Sequence, residues 1–260
     1  MAISPQIVPR VLVTREEPEP VSQAVRLAAG EPVELPLLAT RWIEFDCPEG
    51  RKLEDYDWIA FTSPRALEAI ASKASAAGWS WPPQVAAAAV GDRTAHEMQA
   101  CGWMPECVSE EASAHGLVQA LQTRSVKGAR ILFPCSAIAE PTFPEGMRAA
   151  GALVDLVHVY TTEPVWLQQP LEKPRLARQL AEELRRGCIA TCASPSAARA
   201  LAELAQEAAA FRELQRTPIV VIGTTTARAV SDLGLHPVDA GGRSLGFMAR
   251  KAVEIGRQMV

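Results

Sequence analysis

The chain has 260 residues and a net charge of −4, with 48% hydrophobic and 22% charged residues. This composition supports packed cores, and the absence of a Lys/Arg stripe or of an apolar run long enough to span a bilayer disfavours nucleic-acid and membrane partners. Six cysteines without a Cys-x-x-Cys spacing, and four histidines without metal-ligand spacing, favour reduced thiols and no structural metal.

Strands and helices are expected to alternate from the start of the chain. Residues 1–6 lack the basic flank and apolar centre of a signal peptide, which favours a cytoplasmic protein. The β-branched run 10–15 predicts a buried strand, the spacing of 21–29 predicts a helix that ends at Gly30, and 32–38 predicts a second strand. The chain therefore opens as β-α-β.

Residues 41–45 alternate polar and apolar side chains, which predicts a strand with two different faces. Further apolar runs predict strands at 56–62, 85–90, 105–108, 130–134, 153–164, 189–193 and 218–222. Helical spacing predicts helices at 64–77, 93–100, 113–121, 140–150, 171–186, 195–210, 226–233 and 244–259. Strands that are apolar on both faces and alternate with helices are typical of α/β proteins with parallel sheets.

Three pairs of segments repeat between the two halves of the chain. The pattern Ser-Pro-x-Ala-x-x-Ala occurs at Ser63 and again at Ser194. Gly-x-x-Thr-Ala occurs at Gly91 and Gly223, followed in each case by Gly and then Pro at matching distances. Ala-Ala-Gly-x-x-Val-x-Leu begins at residues 28 and 149. These matches predict an internal duplication and two domains.

Hydroxyl-bearing and glycine-containing turns follow many of the predicted strands. Ligands of open α/β sheets bind beyond the carboxyl ends of the strands, and helix N-termini there bind anions. We therefore expect a cleft between two domains that binds a small anionic ligand. For any single turn, capping of the following helix is the competing interpretation. No P-loop, Gly-x-Ser-x-Gly or dinucleotide fingerprint is present, which disfavours NTPases, hydrolases of that type and dinucleotide enzymes.

The ordered set of motifs resembles the uroporphyrinogen-III synthase family. The segments that carry the resemblance are Val-Leu-Val-Thr-Arg15, Phe61-Thr-Ser-Pro-Arg-Ala66, Ala89-Val-Gly-x-x-Thr-Ala95, Val159-Tyr-Thr161, Ala193-Ser-Pro-Ser196 and Ile222-Gly-x-Thr-Thr-Ala227. The resemblance implies two flavodoxin-like domains joined by a two-stranded β linker. One domain would be 1–37 with 165–260, the other 47–156, and the linker strands about 38–46 and 157–164.

The family's reaction is the cyclisation of hydroxymethylbilane to uroporphyrinogen III, with inversion of the terminal D ring and loss of water. The resemblance implies that Tyr160 is a hydrogen-bond donor or general acid beside the leaving hydroxyl; its other interpretation is a linker-strand aromatic. The substrate carries carboxylates, and the resemblance implies that they are held by Arg15, Thr62, Ser63, Arg65, Gly91, Ser113, Ser194, Ser196, Thr225 and Thr226. It implies no metal or cofactor, and we expect a monomer.

Two alternatives remain open at this stage. One is a non-catalytic, two-domain α/β binding protein for a small anionic ligand, such as a periplasmic-type binding protein, although no export signal is visible. The other is a regulatory or inactive relative of the synthase. The location depends on the source: cytosol for a bacterium, plastid for a plant or alga.

Overall fold

The computed structural model of the chain describes residues 8–78 and 81–259. The segment 1–6, on which the expectation of a cytoplasmic protein rests, lies outside these ranges. Within them, no helix is both long and apolar enough to cross a membrane. The chain divides into two compact units: the described residues up to Thr40 together with those from Glu163 onward, and residues Arg41–Thr162.

The first unit contains a five-stranded sheet. Its strands are β1 (Arg10–Val13), β2 (Glu31–Glu34), β9 (Ile189–Cys192), β10 (Pro218–Val221) and β11 (His236–Asp239). They lie in the order β11-β10-β9-β1-β2, and every neighbouring pair is parallel. Read from the other edge, this is the 2-1-3-4-5 order of flavodoxin-like folds.

The second sheet has six strands: β3 (Leu38–Trp42), β4 (Trp58–Phe61), β5 (Ala86–Ala89), β6 (Cys107–Val108), β7 (Arg130–Ser136) and β8 (Leu153–Pro164). Their order is β3-β8-β7-β4-β5-β6, and the five strands β8, β7, β4, β5 and β6 are parallel to one another. If β7 is counted as the first strand, β8 as the second, and β4, β5 and β6 as the third to fifth, these five parallel strands also follow the order 2-1-3-4-5. The expected α/β class with parallel sheets is confirmed.

Helices connect the strands. They are α1 (Glu19–Leu27), α2 (Pro64–Ala77), α3 (Gly91–Ala100), α4 (Ala114–Gln122), α5 (Thr142–Ala149), α6 (Val165–Gln168), α7 (Glu172–Arg186), α8 (Pro195–Glu207), α9 (Phe211–Arg216), α10 (Thr224–Asp232) and α11 (Leu245–Gln258). The segments that match in sequence occupy matching places: the Ser63 and Ser194 turns follow β4 and β9, each the third strand of its 2-1-3-4-5 order. The duplication itself stays a prediction.

The end of one predicted helix is wrong, and three short elements are absent from the sequence prediction. Helix α1 ends at Leu27, and Ala29, not Gly30, takes the left-handed conformation with φ 59°. The short elements α6, α9 and β11 were not expected. Helices α6 and α9 have only 4 and 6 residues, too few for a clear apolar period. Strand β11 lies at the sheet edge and is only partly buried, so it lacks an apolar run.

The strand predicted at 41–45 also differs. Strand β3 begins at Leu38 and ends at Trp42. Beyond it, Ile43 N–H still donates to the Val159 carbonyl at 3.1 Å. The next segment is held by a side chain instead, because Lys73 on α2 donates to the Phe45 carbonyl and pairs with Asp46 at 2.7 Å. The alternation of 41–45 therefore does not produce a strand of that length.

Candidate functional site

Tyr160 and Ser63 meet in the second unit. Tyr160 lies near the end of β8 and is 8% exposed. Its hydroxyl donates to Ser63 Oγ at 3.0 Å, and Ser63 Oγ also accepts the Arg65 backbone N–H at 3.2 Å. Ser63 is the N-cap of α2, and Pro64 at the first helical position suits that start. The hydroxyl group of Tyr160 therefore lies at the N-terminus of α2.

A bulge in β8 explains how Tyr160 reaches this position. Cys135 pairs with His158 and Ser136 pairs with Tyr160, so Val159 is an extra residue on β8. Side chains of a regular strand alternate between faces, and a bulge re-aims the residue beside it. Val159 and Tyr160, although consecutive, both join the core cluster that contains Phe61. The backbone is fixed there too, because the Tyr160 carbonyl accepts from Ala137 N–H at 2.8 Å.

Trp42 covers one side of this site. Its ring meets the Tyr160 ring edge-on, with centroids 6.2 Å apart and planes at 61°. Trp42 is 47% exposed, so the rest of its ring faces solvent. The sequence interpretation placed Trp42 on a linker strand and missed its contact with Tyr160. The contact could have been suspected from the expected pairing of the two linker strands, because Trp42 lies on β3 and Tyr160 on its neighbour β8.

The other residues expected in the second unit follow β4, β5 and β6, which are adjacent in the sheet. Thr62 and Arg65 flank Ser63 and are half-buried. Gly91 is buried and is the first residue of α3, where no side chain caps the helix. Ser113 caps α4 by accepting the Gly116 N–H at 2.9 Å. These residues therefore gather at the carboxyl edge of one sheet.

The first unit holds a second group at the carboxyl ends of β1, β9 and β10. Ser194 caps α8 by accepting the Ala197 N–H at 3.2 Å, and Ser196 lies in the same first turn. Helix α10 begins at Thr224 without a side-chain cap. Thr225 is exposed there, whereas Thr226 is 4% exposed, which makes Thr225 the more accessible hydroxyl. Arg15 follows β1 and is half-buried.

Two threonines hold the strand ends of this second group together. Thr14 Oγ1 donates to the Thr191 carbonyl at 2.7 Å, and Thr191 Oγ1 donates to the Leu12 carbonyl at 2.7 Å. Both threonines are buried. These reciprocal bonds tie β1 to β9 just before Arg15 and Ser194, and so position both turns.

Each of the two groups offers a ligand both capped and uncapped helix N-termini. The expected residues include positions at five helix N-termini. Two of these helices, α3 and α10, have no side-chain cap, so their first backbone N–H groups can donate to an anion. The capped helices α2, α4 and α8 use a serine oxygen for the cap but keep the serine proton as a donor. The expected single cleft lined by both groups stays a prediction.

Cysteines lie close to these strand ends but do not supply a reactive thiolate. All six are free, and burial raises the pKa of Cys135, at the end of β7, to about 11. Burial also raises the pKa of Cys192, at the end of β9, to about 12. Both thiols therefore stay protonated at neutral pH. In the described ranges, no three His, Cys, Asp or Glu side chains cluster as metal ligands do.

Comparison with known proteins gives one consistent family. The family model for uroporphyrinogen-III synthase HemD matches residues 19–240. The uroporphyrinogen-III synthase of Synechococcus elongatus is 29% identical over 168 residues, covering 62% of this chain and 63% of that protein, so the match spans just under two thirds of this relative. The uroporphyrinogen-III synthase of Oryza sativa subsp. japonica, named chloroplastic, is 29% identical over 245 residues, covering 88% of this chain and 74% of the relative.

Solved structures agree on the fold. A mutant uroporphyrinogen III synthase from Thermus thermophilus superposes with a TM-score of 0.58 at 18% identity, covering 98% of this chain and 100% of the other. Uroporphyrinogen-III synthetase from Helicobacter pylori superposes with a TM-score of 0.65 at 14% identity, covering 96% and 100%. At these identities, the likeness concerns the fold alone.

Proposed function

Because the chain belongs to the uroporphyrinogen-III synthase family, whose model matches residues 19–240, we propose that it cyclises hydroxymethylbilane to uroporphyrinogen III. The reaction inverts the terminal D ring, releases water and serves tetrapyrrole, and hence heme, biosynthesis. The family match carries this proposal, and the hydrogen-bonded Tyr160–Ser63 pair supports it with a suitable acid. A non-catalytic binding protein for a small anion is not favoured.

Tyr160 is the proposed general acid. The carbon–oxygen bond of the substrate's hydroxymethyl group breaks, and the oxygen leaves as water after taking a proton from Tyr160. The remaining azafulvene then closes the ring through a spiro intermediate, and the proton that the substrate loses on rearomatisation returns to Tyr160. Acid catalysis of this kind contributes about 10²–10⁴-fold, and positioning supplies the rest.

The carboxylates of the substrate are proposed to bind at the strand-end turns of each unit. The uncapped N-termini of α3 and α10 offer backbone N–H groups at Gly91 and Thr225. Hydroxyl and guanidinium groups add donors, so that no single contact carries the binding. The proposed contributors are Arg15, Thr62, Ser63, Arg65, Ser113, Ser194, Ser196 and Thr226.

Location, assembly and cofactor use are part of the proposal. We place the enzyme in the cytoplasm, or in the plastid if the source is a plant or alga. It acts as a monomer and without a metal or organic cofactor, because loss of the hydroxymethyl oxygen needs only a proton and a fixed substrate conformation.

The decisive experiment supplies hydroxymethylbilane to the purified protein and separates the type I and type III uroporphyrinogens after oxidation. Formation of the type III isomer well above the level of a protein-free control is the expected result. Product of type I alone, at the protein-free rate, would contradict the proposed activity.

A further inference from the structure

We propose that Ser63 is a positioning residue for Tyr160, in addition to capping α2. This inference rests on the proposed function, because it concerns the acid of that reaction. In the structure, Ser63 Oγ accepts the Tyr160 hydroxyl at 3.0 Å and the Arg65 N–H at 3.2 Å. The Arg65 contact fixes Ser63 Oγ at the first turn of α2, and the Tyr160 contact holds the phenol oxygen beside Ser63 Oγ.

The protons and acceptor positions of the two hydroxyl groups explain how Ser63 can assist Tyr160. Each hydroxyl has one proton and two acceptor positions, and the proton of a serine hydroxyl can rotate. With Tyr160 donating, both acceptor positions of Ser63 Oγ are filled and the Ser63 proton is left over. When Tyr160 gives its proton to the leaving oxygen, the Ser63 hydroxyl turns and donates to the phenolate. Ser63 thus stabilises the charge left on Tyr160.

The helix adds to this effect. Helix α2 has 14 residues, and its N-terminus carries a partial positive charge. Only the Ser63 hydroxyl would separate the phenolate oxygen from that partial charge. A negative charge on the pair is therefore favoured at the moment of proton transfer, which is when an acid catalyst needs it.

The matching turn of the first unit lacks this arrangement. Ser194 caps α8 through Ala197 N–H, just as Ser63 caps α2. The chain has two tyrosines, and the other, Tyr56, donates to Asp155 at 2.9 Å. Both tyrosines of the chain belong to the second unit, so the first unit itself places no tyrosine beside the Ser194 cap. Assistance to the acid is therefore proposed for the Ser63 turn, which lies in the same unit as Tyr160.

The test is a double-mutant cycle on kcat with the full chain. In the wild-type background, Ser63→Ala is expected to lower kcat by about tenfold, with KM for hydroxymethylbilane changed by less than threefold. In the Y160F background, the same change is expected to lower kcat by less than twofold, because its partner hydroxyl is gone. Ser63→Thr keeps a hydroxyl and should recover most of the wild-type kcat.

Loss of the helix cap is controlled separately. Ser244 caps α11, which also has 14 residues, by accepting Phe247 N–H at 3.3 Å. Ser244→Ala should lower the melting temperature about as much as Ser63→Ala while keeping kcat. An equal loss of kcat from Ser63→Ala with and without Tyr160, or failure of Ser63→Thr to restore it, would overturn the inference. A wild-type protein that forms only type I product would instead overturn the proposed function.

Discussion

The Trp42 ring meets the Tyr160 ring edge-on at 6.2 Å between centroids, while almost half of Trp42 stays exposed. The two residues belong to the paired strands β3 and β8. An edge-to-face pair of this kind contributes about 0.5–1.5 kcal/mol beyond area burial. Because the Tyr160 hydroxyl must point at Ser63, a constraint on the ring is also a constraint on the proposed acid.

Replacement of Trp42 tests that constraint. Trp42→Ala is expected to lower kcat roughly threefold to tenfold, since a loss of about 1 kcal/mol in orientation has that effect on a rate. Trp42→Phe keeps an aromatic edge and should stay within about twofold of wild type. Steady-state kinetics on the three proteins decide the question; equal rates for all would show that the ring contact does not matter for turnover.

Removal of the Tyr160 hydroxyl has a larger expected effect. Tyr160→Phe should slow turnover by at least about tenfold, because the acid is lost while the ring packing remains. Tyr56→Phe is the matched control: it removes the hydrogen bond to Asp155 in a buried site, so it should reduce stability without changing kcat. Rates and melting curves of both variants separate the two roles, and unchanged kinetics for Tyr160→Phe would remove that residue from the mechanism.

Two glycines at matching turns should resist replacement by alanine for different reasons. Gly91 and Gly223 have φ of 70° and 77°, a range that disfavours any residue with a Cβ, and ψ of Gly223, 158°, lies in a region almost restricted to glycine. A Cβ at Gly91 would also lie 3.0 Å from Ala112 Cβ, whereas nothing lies within 4 Å of one at Gly223. Gly91→Ala should therefore lower the free energy of unfolding through packing as well as backbone strain, and Gly223→Ala through backbone strain alone, as urea denaturation can measure. A Gly91→Ala variant as stable as wild type would contradict the packing argument, and a Gly223→Ala variant as stable as wild type would contradict the strain argument.

A partly buried ion pair at the start of β1 should contribute to stability. Glu183 accepts Arg10 Nε at 2.8 Å and Arg10 Nη2 at 2.9 Å, and the Glu183 side chain is 7% exposed. Glu183→Gln removes one of the two carboxylates on Arg10 and leaves the more exposed Glu31, so it is expected to cost about 2 kcal/mol. The neighbouring Glu182 pairs with Arg186 on the solvent-exposed surface. Glu182→Gln should therefore lower the free energy of unfolding by less than about 0.5 kcal/mol. Urea midpoints of the two variants provide the comparison.

Buried thiols should make the protein sensitive to alkaline pH. Burial raises the pKa of Cys188 and of Cys192 from 9.0 to about 12. Below pH 9 both thiols are protonated in the folded and the unfolded chain, so their contribution is fully present; between pH 9 and 12 only the unfolded chain ionises them, so stability falls. At pH 10 the loss is on the order of 1 kcal/mol per thiol. Melting temperatures of wild type and Cys192→Ala between pH 8 and 10.5 should show a shallower decline for the variant.

The α/β class and many elements could be predicted from the sequence because their signals are local. An apolar run bounded by Gly or Pro is enough for a buried strand such as β10, and the prediction of helix 64–77 matches α2 because Ser63 and Pro64 mark its start. Elements stabilised by their surroundings were missed: β11 is held as an edge strand by pairing with β10, and its own residues have no apolar alternation.

The candidate site divides in the same way. The two Ser-Pro turns and the tyrosine at 160 could be predicted from the sequence as candidate site residues, because each belongs to one short motif. The contact of the Tyr160 hydroxyl with the Ser63 turn, in contrast, could not be predicted from these segments. The reason is the extra residue at Val159: a regular strand would place Val159 and Tyr160 on opposite faces, and the bulge turns both toward the core beside Phe61. A register shift depends on the neighbouring strand β7, and no pattern within β8 itself encodes it.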